Sequence, residues 1–524
     1  MNTSGFISQS QTEEKAKYTV VTKKLTSLIS MFDKLYGKSY HTKLIQTDYN
    51  CIKNTNCPSV ILDNVKINHP LVKLLIEYVK KLDTVGDSSK YFLLVVKYLI
   101  NESFQIVEKG VKPTVLGEIY RNIGTELNEM CGGFSKKVDI FGENNLEEDL
   151  NKMTIQDRQL QLKQDNEKVY KDKELTSTQD KQTQPKQDEE VQPTFSLLLD
   201  SLINNKKIKS LVQESILKTK SFSTEKIRIH KMLTGTIEDS YIEEGMVFDR
   251  VPDSIRKSLK DGSSAIYNCP LDISRAELKS TILMNTSEEL YNFTNEEINF
   301  IKEKVDSLKS DLIICSGKVD NIFLDFCNKA NKVVFKIMSK HDLRRIRDCL
   351  GGSISPVLEP ISNLGFVKNM EVFEKSSKLY TKFIGKEIYT IVLRSSLDVV
   401  LDEHERVIIK TLRALSQNVK NNTVEVVPGS GIFEHALTLL FKEKADSFSD
   451  DLHMKYAFMS LSTVFSNFKK IDKFTFDIYS SKIRAMKYAL DFIAVMYETE
   501  DYLIGSQEKL NIKPRMNADW DEDH

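Results

Sequence analysis

Hydrophobic residues recur at helical spacing near the beginning of this chain. This pattern runs from Val20 to Leu35, from Leu71 to Val79 and from Tyr91 to Ile106. Such a period predicts amphipathic helices that share one buried face. The tracts Lys43 to Ile45 and Ser59 to Leu62 lack the period and predict a small hairpin of short strands. The chain from about residue 17 to 130 is thus predicted to be mainly helical.

The central part of the chain alternates between strand-like and helical patterns. Short apolar runs predict buried strands at Ala265 to Tyr267, Leu312 to Ile314, Val333 to Phe335 and Val372 to Phe373. Helical stretches such as Asn295 to Ser307 separate them, and this alternation predicts an α/β domain. From residue 398 onward the pattern is mostly helical again. We therefore predict an α/β unit inserted between two helical halves.

The stretch from Glu143 to Thr194 differs in composition from the rest of the chain. It is rich in Gln, Lys, Asp and Glu and almost lacks aromatic residues. A segment of this kind cannot bury enough apolar area to offset the entropy lost on ordering. We expect a disordered or loosely helical insertion centred on 156–193, with a charged helical hairpin as the alternative.

Length and charge restrict the class of protein. The 524 residues suffice for about three domains. Because 74 basic residues balance 75 acidic ones, we expect neither nucleic acid nor a membrane surface as a partner. No apolar run approaches the roughly 18 residues of a spanning helix, and residues 1–15 lack a signal-peptide core. The seven cysteines form no CxxC pair and no zinc spacing, which predicts a cytoplasmic protein without structural metal.

Two glycine-containing tetrapeptides each precede a predicted helix. They are Gly86-Asp87-Ser88-Ser89 and Pro428-Gly429-Ser430-Gly431. Glycine lets the backbone approach an anion closely, and the start of a helix offers unpaired N–H groups. The Asp87 carboxylate could also hold Mg²⁺. Taken singly, each tetrapeptide is explained by helix capping or by a glycine turn, and Tyr36-Gly37-Lys38 by an ordinary helix end.

Two charged stretches have no specific chemical signature of their own. The stretch from Asp402 to Arg406 is not an HExxH motif, and it predicts a solvated helix face. The stretch from Lys340 to Arg345 predicts a basic amphipathic helix. With near-zero net charge, a solvent or partner face is expected there rather than a nucleic-acid site.

Read together, the motifs of this chain resemble the group II chaperonins. The resemblance covers most of the chain outside 143–194 and about 442–474. Its most specific parts are central, and they lie at Ile227 to Leu233, Glu244 to Phe248, Ala265 to Asp272, Ser287 to Phe293, Ser316 to Val319 and Ser339 to Arg345. The acidic end, Asp519 to Asp523, is similar to that of one subunit type of the eukaryotic cytosolic chaperonin.

The resemblance implies a multidomain chaperonin fold with three domains. These would be a helical equatorial domain from 1–130 and 413–524, an intermediate hinge domain from 131–243 and 385–412, and an α/β apical domain from 244–384. It also implies partners: other chaperonin subunits in a sixteen-subunit double ring, and unfolded cytosolic clients such as actin and tubulin. The implied cofactor is ATP or ADP with Mg²⁺.

The resemblance further implies a nucleotide site built from both ends of the chain. Its nucleotide-binding residues would be Tyr36, Gly37, Lys38, Asp87, Ser88, Ser89, Gly429, Ser430, Gly431 and Asp477. Asp87 would hold the metal ion, and Asp477 the ribose. The basic helix would turn Lys340, His341, Arg344 and Arg345 toward clients, unless that helix only packs on the apical sheet.

Two carboxylates that the family uses for hydrolysis are missing. Their positions pair with Cys57 and Ile409. A thiol is a poor ligand for Mg²⁺, which prefers hard oxygen, and the Ile409 side chain cannot orient water. A residue that activates water contributes about 10²–10⁴-fold in rate. We therefore expect weak or absent hydrolysis with nucleotide binding retained in part, although a shifted alignment would bring Asp398 or Asp402 to the place of Ile409.

Three functions remain open from the sequence. The first is a structural and client-binding ring subunit with a degenerate ATPase site. The second is a fully active ATPase subunit in which other substitutions restore the chemistry. The third is a stand-alone scaffold derived from chaperonins.

Overall fold

The computed structural model describes residues 22–36, 41–46, 52–65, 69–141, 195–272, 286–386, 388–469 and 475–499. The insertion predicted at 143–194 and the acidic end at 519–523 lie outside the described residues, as do Gly37 and Lys38.

The described helices are concentrated toward the two ends of the chain. In chain order they are α1 (22–30), α2 (Pro58–Asp63), α3 (Pro70–Val85), α4 (Ser89–Glu108), α5 (Pro113–Cys131), α6 (Phe195–Leu202), α7 (Lys206–Thr219), α8 (Ser287–Ser307), α9 (Asn321–Lys329), α10 (Lys340–Leu350), α11 (Asp398–Asn418), α12 (Ile432–Ser447), α13 (Leu452–Ser466) and α14 (Tyr479–Glu498). Proline at the first position starts α2, α3 and α5, where its missing N–H costs nothing. No helix in these ranges combines the length and apolar character of a membrane span.

The strands fall into four sheets. In chain order they are β1 (Lys43–Gln46), β2 (Ile52–Thr55), β3 (Lys136–Asp139), β4 (Ile227–Met232), β5 (Tyr241–Glu244), β6 (Met246–Phe248), β7 (Leu259–Tyr267), β8 (Leu312–Cys315), β9 (Val333–Lys336), β10 (Ile354–Ser355), β11 (Gly365–Lys375), β12 (Lys378–Ile384), β13 (Tyr389–Arg394), β14 (Val419–Lys420), β15 (Thr423–Pro428) and β16 (Phe476–Ile478). The sheets are the β1–β2 pair, a seven-stranded sheet β6-β12-β11-β7-β8-β9 with β10 on β7, a three-stranded sheet β4-β13-β5, and a four-stranded sheet β14-β15-β16 with β3 on β15.

One hydrophobic core joins the two ends of the chain. It contains residues of α1 to α5 together with residues of α12, α13 and α14. Its largest fully buried side chains include Tyr120, Phe441 and Tyr497, and the Ser103 and Tyr497 hydroxyls lie 2.8 Å apart across it. Since neither end has a complete apolar partner face of its own, the two ends stabilise each other by burial.

The seven-stranded sheet is covered by helices on both faces. In β8, Leu312 and Ile314 face one core while Ile313 and Cys315 face another. The first core contains residues of α10, and the second contains residues of α8 and α9. The continuous apolar run of β8 is therefore that of a parallel strand buried on both sides. The four strands predicted in this region are all present.

The hairpin prediction was half wrong. Strand β1 pairs antiparallel with β2, with Lys43 opposite Thr55, but Ser59 to Leu62 belongs to α2. Pro58 starts that helix, and Ile61 and Leu62 are buried in the core formed by both ends of the chain. A four-residue apolar run does not distinguish a strand from a short helix, and tertiary packing decided it here.

Helix α11 packs directly on the turn between α3 and α4. Gly86 ends α3 in the left-handed conformation with φ 99°. A Cβ atom at this position would lie 2.3 Å from the Lys410 carbonyl oxygen and 2.8 Å from the Ala414 nitrogen of α11. Because only glycine fits both the φ angle and the space, Gly86 sets how closely α11 approaches the start of α4.

We expect Gly86→Ala to destabilise the protein more than Gly110→Ala. Both glycines have positive φ just after a helix, but a Cβ at Gly110 (φ 104°) would meet no atom within 4 Å. Gly110→Ala should cost about 1 kcal/mol of backbone strain, and Gly86→Ala a further 1–3 kcal/mol, roughly, from overpacking. Chemical denaturation followed by far-UV circular dichroism measures the difference, and equal losses would show that the contact with α11 is unimportant.

Candidate functional site

Two helix starts from opposite ends of the chain open onto one cavity. Its volume is about 790 Å³, within the usual range for small-molecule sites. The Gly86 to Ser89 turn before α4 lines it on one side, and Ser430 and Gly431 before α12 on another. The helix α11 and the strand β16 complete the wall through Lys410 and Asp477. The cavity therefore exists only when both chain ends fold together.

The first turn is shaped for an anion. Ser88 is the N-terminal boundary residue of α4 and has a left-handed conformation with φ 66°. Its hydroxyl donates to Asp87 Oδ2 at 3.2 Å. Phe92 N–H donates to the Ser88 carbonyl at 2.9 Å, so the N–H groups before Phe92 have no acceptor within the helix. Such groups give a helix start a partial positive charge.

The second turn has a similar form. Ser430 and Gly431 both have positive φ, 57° and 84°, and Gly431 leads into the 16-residue α12. The Gly429 N–H donates to the Thr475 carbonyl at 2.7 Å. A Cβ at Gly429 would lie 3.0 Å from Asp477 Oδ2. Glycine is thus required where this turn touches β16, and the contact brings Asp477 beside the turn.

Most of the predicted nucleotide-binding residues lie around this one cavity. Those that line it are Tyr36, Asp87, Ser88, Ser89, Ser430, Gly431 and Asp477. Gly429 adjoins it through Asp477. Gly37 and Lys38 lie outside the described residues, so their part in the site stays a prediction.

Helix α11 presents Lys410 to the cavity, not Ile409. The α11 residues in the wall are Glu403, His404, Val407, Lys410 and Thr411, and Ile409 is not among them. Each residue turns a helix by about 100°, so neighbours face different sides. Lys410 rather than Ile409 is thus the α11 side chain at this point of the wall, and the pairing of Ile409 with a family aspartate stays a prediction. The charged stretch from Asp402 to Arg406 was misread, because Glu403 and His404 face the cavity rather than solvent alone.

Lys410 forms a partly buried group with Asp83 and Cys57. Its ammonium donates to Asp83 Oδ1 at 2.6 Å and to Cys57 Sγ at 3.6 Å. The Cys57 thiol donates to Asp83 Oδ2 at 3.3 Å. A cation and a thiol thus meet around the Asp83 carboxylate beside the cavity.

The charges in this part of the cavity shift one another's pKa values. Burial raises the pKa of Asp83, but the Lys410 ammonium beside it outweighs burial and holds that pKa below its usual range. Burial, and next the Asp477 carboxylate, raise the pKa of Asp87. Burial lowers the pKa of Lys90 to about 8, with help from the Lys410 cation. Burial alone would lower the pKa of Lys410, but Asp83, Cys57 and Asp87 together raise it.

A second buried ion-pair group lies beside the Gly429 to Gly431 turn. Lys482 of α14 is 4% exposed, and it pairs with the fully buried Glu434 and, at 2.8 Å, with Asp477. Its ammonium lies 5.0 Å from the centre of the Tyr91 ring. Burial would lower the pKa of Lys482, but Asp477 and Glu434 raise it well above its usual value. Lys482 is therefore a permanent cation that fixes β16, α12 and α14 together.

The donors around the phosphate end do not fit Mg²⁺. This ion requires several hard oxygen ligands in near-octahedral geometry, and the Asp87 carboxylate is the one predicted ligand that remains. Cys57 offers sulfur, and Lys410 and Lys90 bring positive charge to the same place. Within the described ranges, no three His, Cys, Asp or Glu side chains are grouped as metal ligands would be.

The predicted client-facing residues do not share one environment. Lys340, His341 and Arg344 of α10 are exposed. Arg345 is half-buried and donates through Nε to Glu225 Oε2 at 3.3 Å, next to β4. Arg345 therefore ties α10 to the three-stranded sheet, and only the first three residues are presented to solvent.

Sequence reasoning missed several residues of the site. Lys90 directly follows the first turn, and Glu403, Val407 and Lys410 have the spacing of one helix face. That spacing was the available signal for α11. No sequence signal marked Lys482, because its partners Glu434 and Asp477 are on other elements.

The chain is similar in sequence to known proteins of one family. The model of the TCP-1/cpn60 chaperonin family matches residues 167–467. T-complex protein 1 subunit theta of Encephalitozoon cuniculi is 40% identical over 523 residues, covering 99% of this chain and 98% of that protein. Thermosome subunit alpha of Sulfolobus acidocaldarius is 24% identical over 438 residues, 80% of this chain and 73% of that protein.

The chain belongs to the TCP-1/cpn60 chaperonin family. The predicted group II chaperonin membership and the multidomain chaperonin fold class are confirmed, and the likeness is to the theta subunit type. T-complex protein 1 subunit theta of Homo sapiens is also similar, with 31% identity over 225 residues, 41% of this chain and 40% of that protein.

We expect Lys482→Met to destabilise the protein by about 3–5 kcal/mol, because it leaves Glu434 charged and buried without its partner. Lys218→Met is the matched control, since Lys218 pairs with Glu214 on an exposed helix face and should cost less than about 0.5 kcal/mol. Urea denaturation of both variants gives the comparison. Similar losses of unfolding free energy in both variants would contradict the predicted stabilising role of the Lys482 ion pairs.

We expect anion affinity in the cavity to fall as pH rises above 8. A bound phosphate stabilises the Lys90 cation and raises its pKa, so affinity is complete below the free pKa of about 8 and is lost as pH rises through the pKa of the complex. A charge-assisted hydrogen bond contributes about 1.5–3 kcal/mol, so the loss should reach at least about tenfold. Titration of ADP from neutral to alkaline pH measures it.

Lys90→Arg is the control for this pH dependence, because arginine keeps its charge throughout. A fall of the same size in the Lys90→Arg protein would refute the role of Lys90.

Proposed function

We propose that this chain is a ring subunit of an ATP-dependent chaperonin that binds nucleotide but hydrolyses it weakly or not at all. One observation carries the proposal: the Lys410 ammonium of α11 lies 2.6 Å from Asp83, beside the turn that would hold phosphate. A cation there cannot accept a proton from water, and the neighbouring Cys57 offers a poor ligand for a hard metal ion. The anion-binding parts of the site, two helix starts and two turns, are retained.

The proposal includes a division into three domains. We propose equatorial segments 1–130 and 413–524, intermediate segments 131–243 and 385–412, and an apical segment 244–384. The core shared by α1 to α5 and α12 to α14 supports the first of these. The helix-covered seven-stranded sheet supports the last, and the three-stranded sheet β4-β13-β5 supports a hinge between them.

The partners proposed are other chaperonin subunits in a sixteen-subunit double ring, with unfolded cytosolic proteins such as actin and tubulin as clients. The homology to subunits of chaperonin rings supports the first. The exposed, polar side chains of Lys340, His341 and Arg344 suit clients that are recognised by polar contacts. A cytoplasmic location follows from such a role.

We expect the full-length chain to bind ATP and to turn it over at least about 100-fold more slowly than an intact chaperonin site, because both water-activating carboxylates are missing. Cys57→Asp with Lys410→Asp should raise turnover, whereas Arg413→Met on the exposed face of α11 should not. Single-turnover measurement with labelled ATP is the assay. Turnover by the unmodified chain that Asp87→Ala abolishes would overturn the proposal.

Ring membership has its own test. The full-length chain should co-migrate with other chaperonin subunits at roughly sixteen times its 60.2 kDa mass. Migration alone or in small complexes under conditions that preserve rings would favour the stand-alone scaffold instead.

A further inference from the structure

The cavity has an unusual charge arrangement on its wall. Four of the five carboxylates that line it are each paired with a cation of this chain: Asp33 with Lys97, Asp200 with Lys209, Glu403 with Arg406 and Asp477 with Lys482. The fifth, Asp87, has no ion pair with any described residue. The acidic groups of the wall are therefore largely neutralised before any ligand binds.

The same wall carries a cation that lacks such a partner. Lys90 lines the cavity one residue after the Gly86 to Ser89 turn, and it forms no ion pair with any described residue. The Lys410 ammonium lies close enough to depress its pKa and to lower the pKa of Asp87. Two ammonium groups and a helix start thus converge on the place where phosphate oxygens would lie.

Lys410 is held in place by its backbone as well as by its ion pair. Its carbonyl oxygen packs on Gly86 so closely that a Cβ there would approach to 2.3 Å. Its ammonium is fixed by Asp83 Oδ1 at 2.6 Å, with side-chain exposures of 22% and 12% for the two partners. A charge anchored at both ends loses little conformational freedom when it meets a ligand.

A divalent cation would be poorly accommodated at this position. Asp87 is the one carboxylate near Lys410 that could bind such an ion. Asp83 already accepts hydrogen bonds from Lys410 through Oδ1 and from the Cys57 thiol through Oδ2. Two positive side chains would repel the ion at short range. The role of the metal in a nucleotide site is to neutralise phosphate charge, and lysine provides that as a point charge.

We infer that this subunit binds ADP or ATP without a divalent cation, with Lys410 and Lys90 neutralising the phosphates in its place. The inference rests on the proposed nucleotide site and adds the chemistry of its ligand: the metal-free nucleotide rather than the magnesium complex. Such a site holds a bound nucleotide as a structural part of the proposed equatorial domain. Its side chains provide no binding position for the divalent cation that assists hydrolysis.

The test compares ADP affinity of the full-length chain in excess EDTA and in excess MgCl₂ by isothermal titration calorimetry. We expect ADP to bind at least as tightly in EDTA as in MgCl₂, because excess magnesium converts free ADP into its magnesium complex and so competes with the site. Binding in MgCl₂ alone, or affinity raised more than about tenfold by it, would overturn the inference while leaving the nucleotide site intact. Absence of binding in both buffers would overturn the site itself.

A variant of Lys410 tests whether metal-independent binding of ADP depends on this side chain of α11. Lys410→Asp should lower affinity in EDTA by at least about tenfold, the contribution of a charge-assisted hydrogen bond, and should make binding depend on MgCl₂. Arg413→Met removes a cation from the exposed face of the same helix and should change neither value. If Lys410→Asp fails to fold by circular dichroism, Lys410→Gln replaces it. Unchanged EDTA affinity in the folded variant would contradict the role of Lys410.

Discussion

The contact between α11 and Gly86 is the constraint on which the rest of the site depends. It sets α11 against the turn at the start of α4 at a distance that only glycine permits. That approach brings Lys410 to Asp83 and Cys57 and closes one side of the cavity. Since Lys410 lies more than 300 residues after Gly86 in the chain, the contact also joins the N-terminal helices to the segment that leads into the C-terminal ones.

Most carboxylates in the cavity wall are neutralised by cations of the same chain. A carboxylate site for a metal ion needs uncompensated negative charge, but here nearly every carboxylate of the wall already has a lysine or arginine partner. In the proposed site, Lys410 both pairs with Asp83 and supplies positive charge for phosphate.

Part of this was accessible from the residues alone. The buried strands of the seven-stranded sheet were predictable because a continuous apolar run such as Leu312 to Cys315 fits a strand covered on both faces. The two anion-binding turns were predictable only together and through the family resemblance, because each one singly is explained by helix capping or by a glycine turn. Ser59 to Leu62 was predicted wrongly because a run of that length has no measurable period, and packing against the joint core made it helical.

The sequence by itself determined the family resemblance, the alternation of helical and α/β parts and the presence of a thiol at Cys57, since each depends on residue type and local spacing. Only the tertiary structure decided that Lys410 rather than Ile409 faces the cavity, because adjacent helix positions differ by about 100° and the alignment of a helix cannot be fixed by composition. It alone also joined Lys482 to Glu434 and Asp477. Ion pairs between elements distant in sequence depend on how the elements pack, and no local pattern records that.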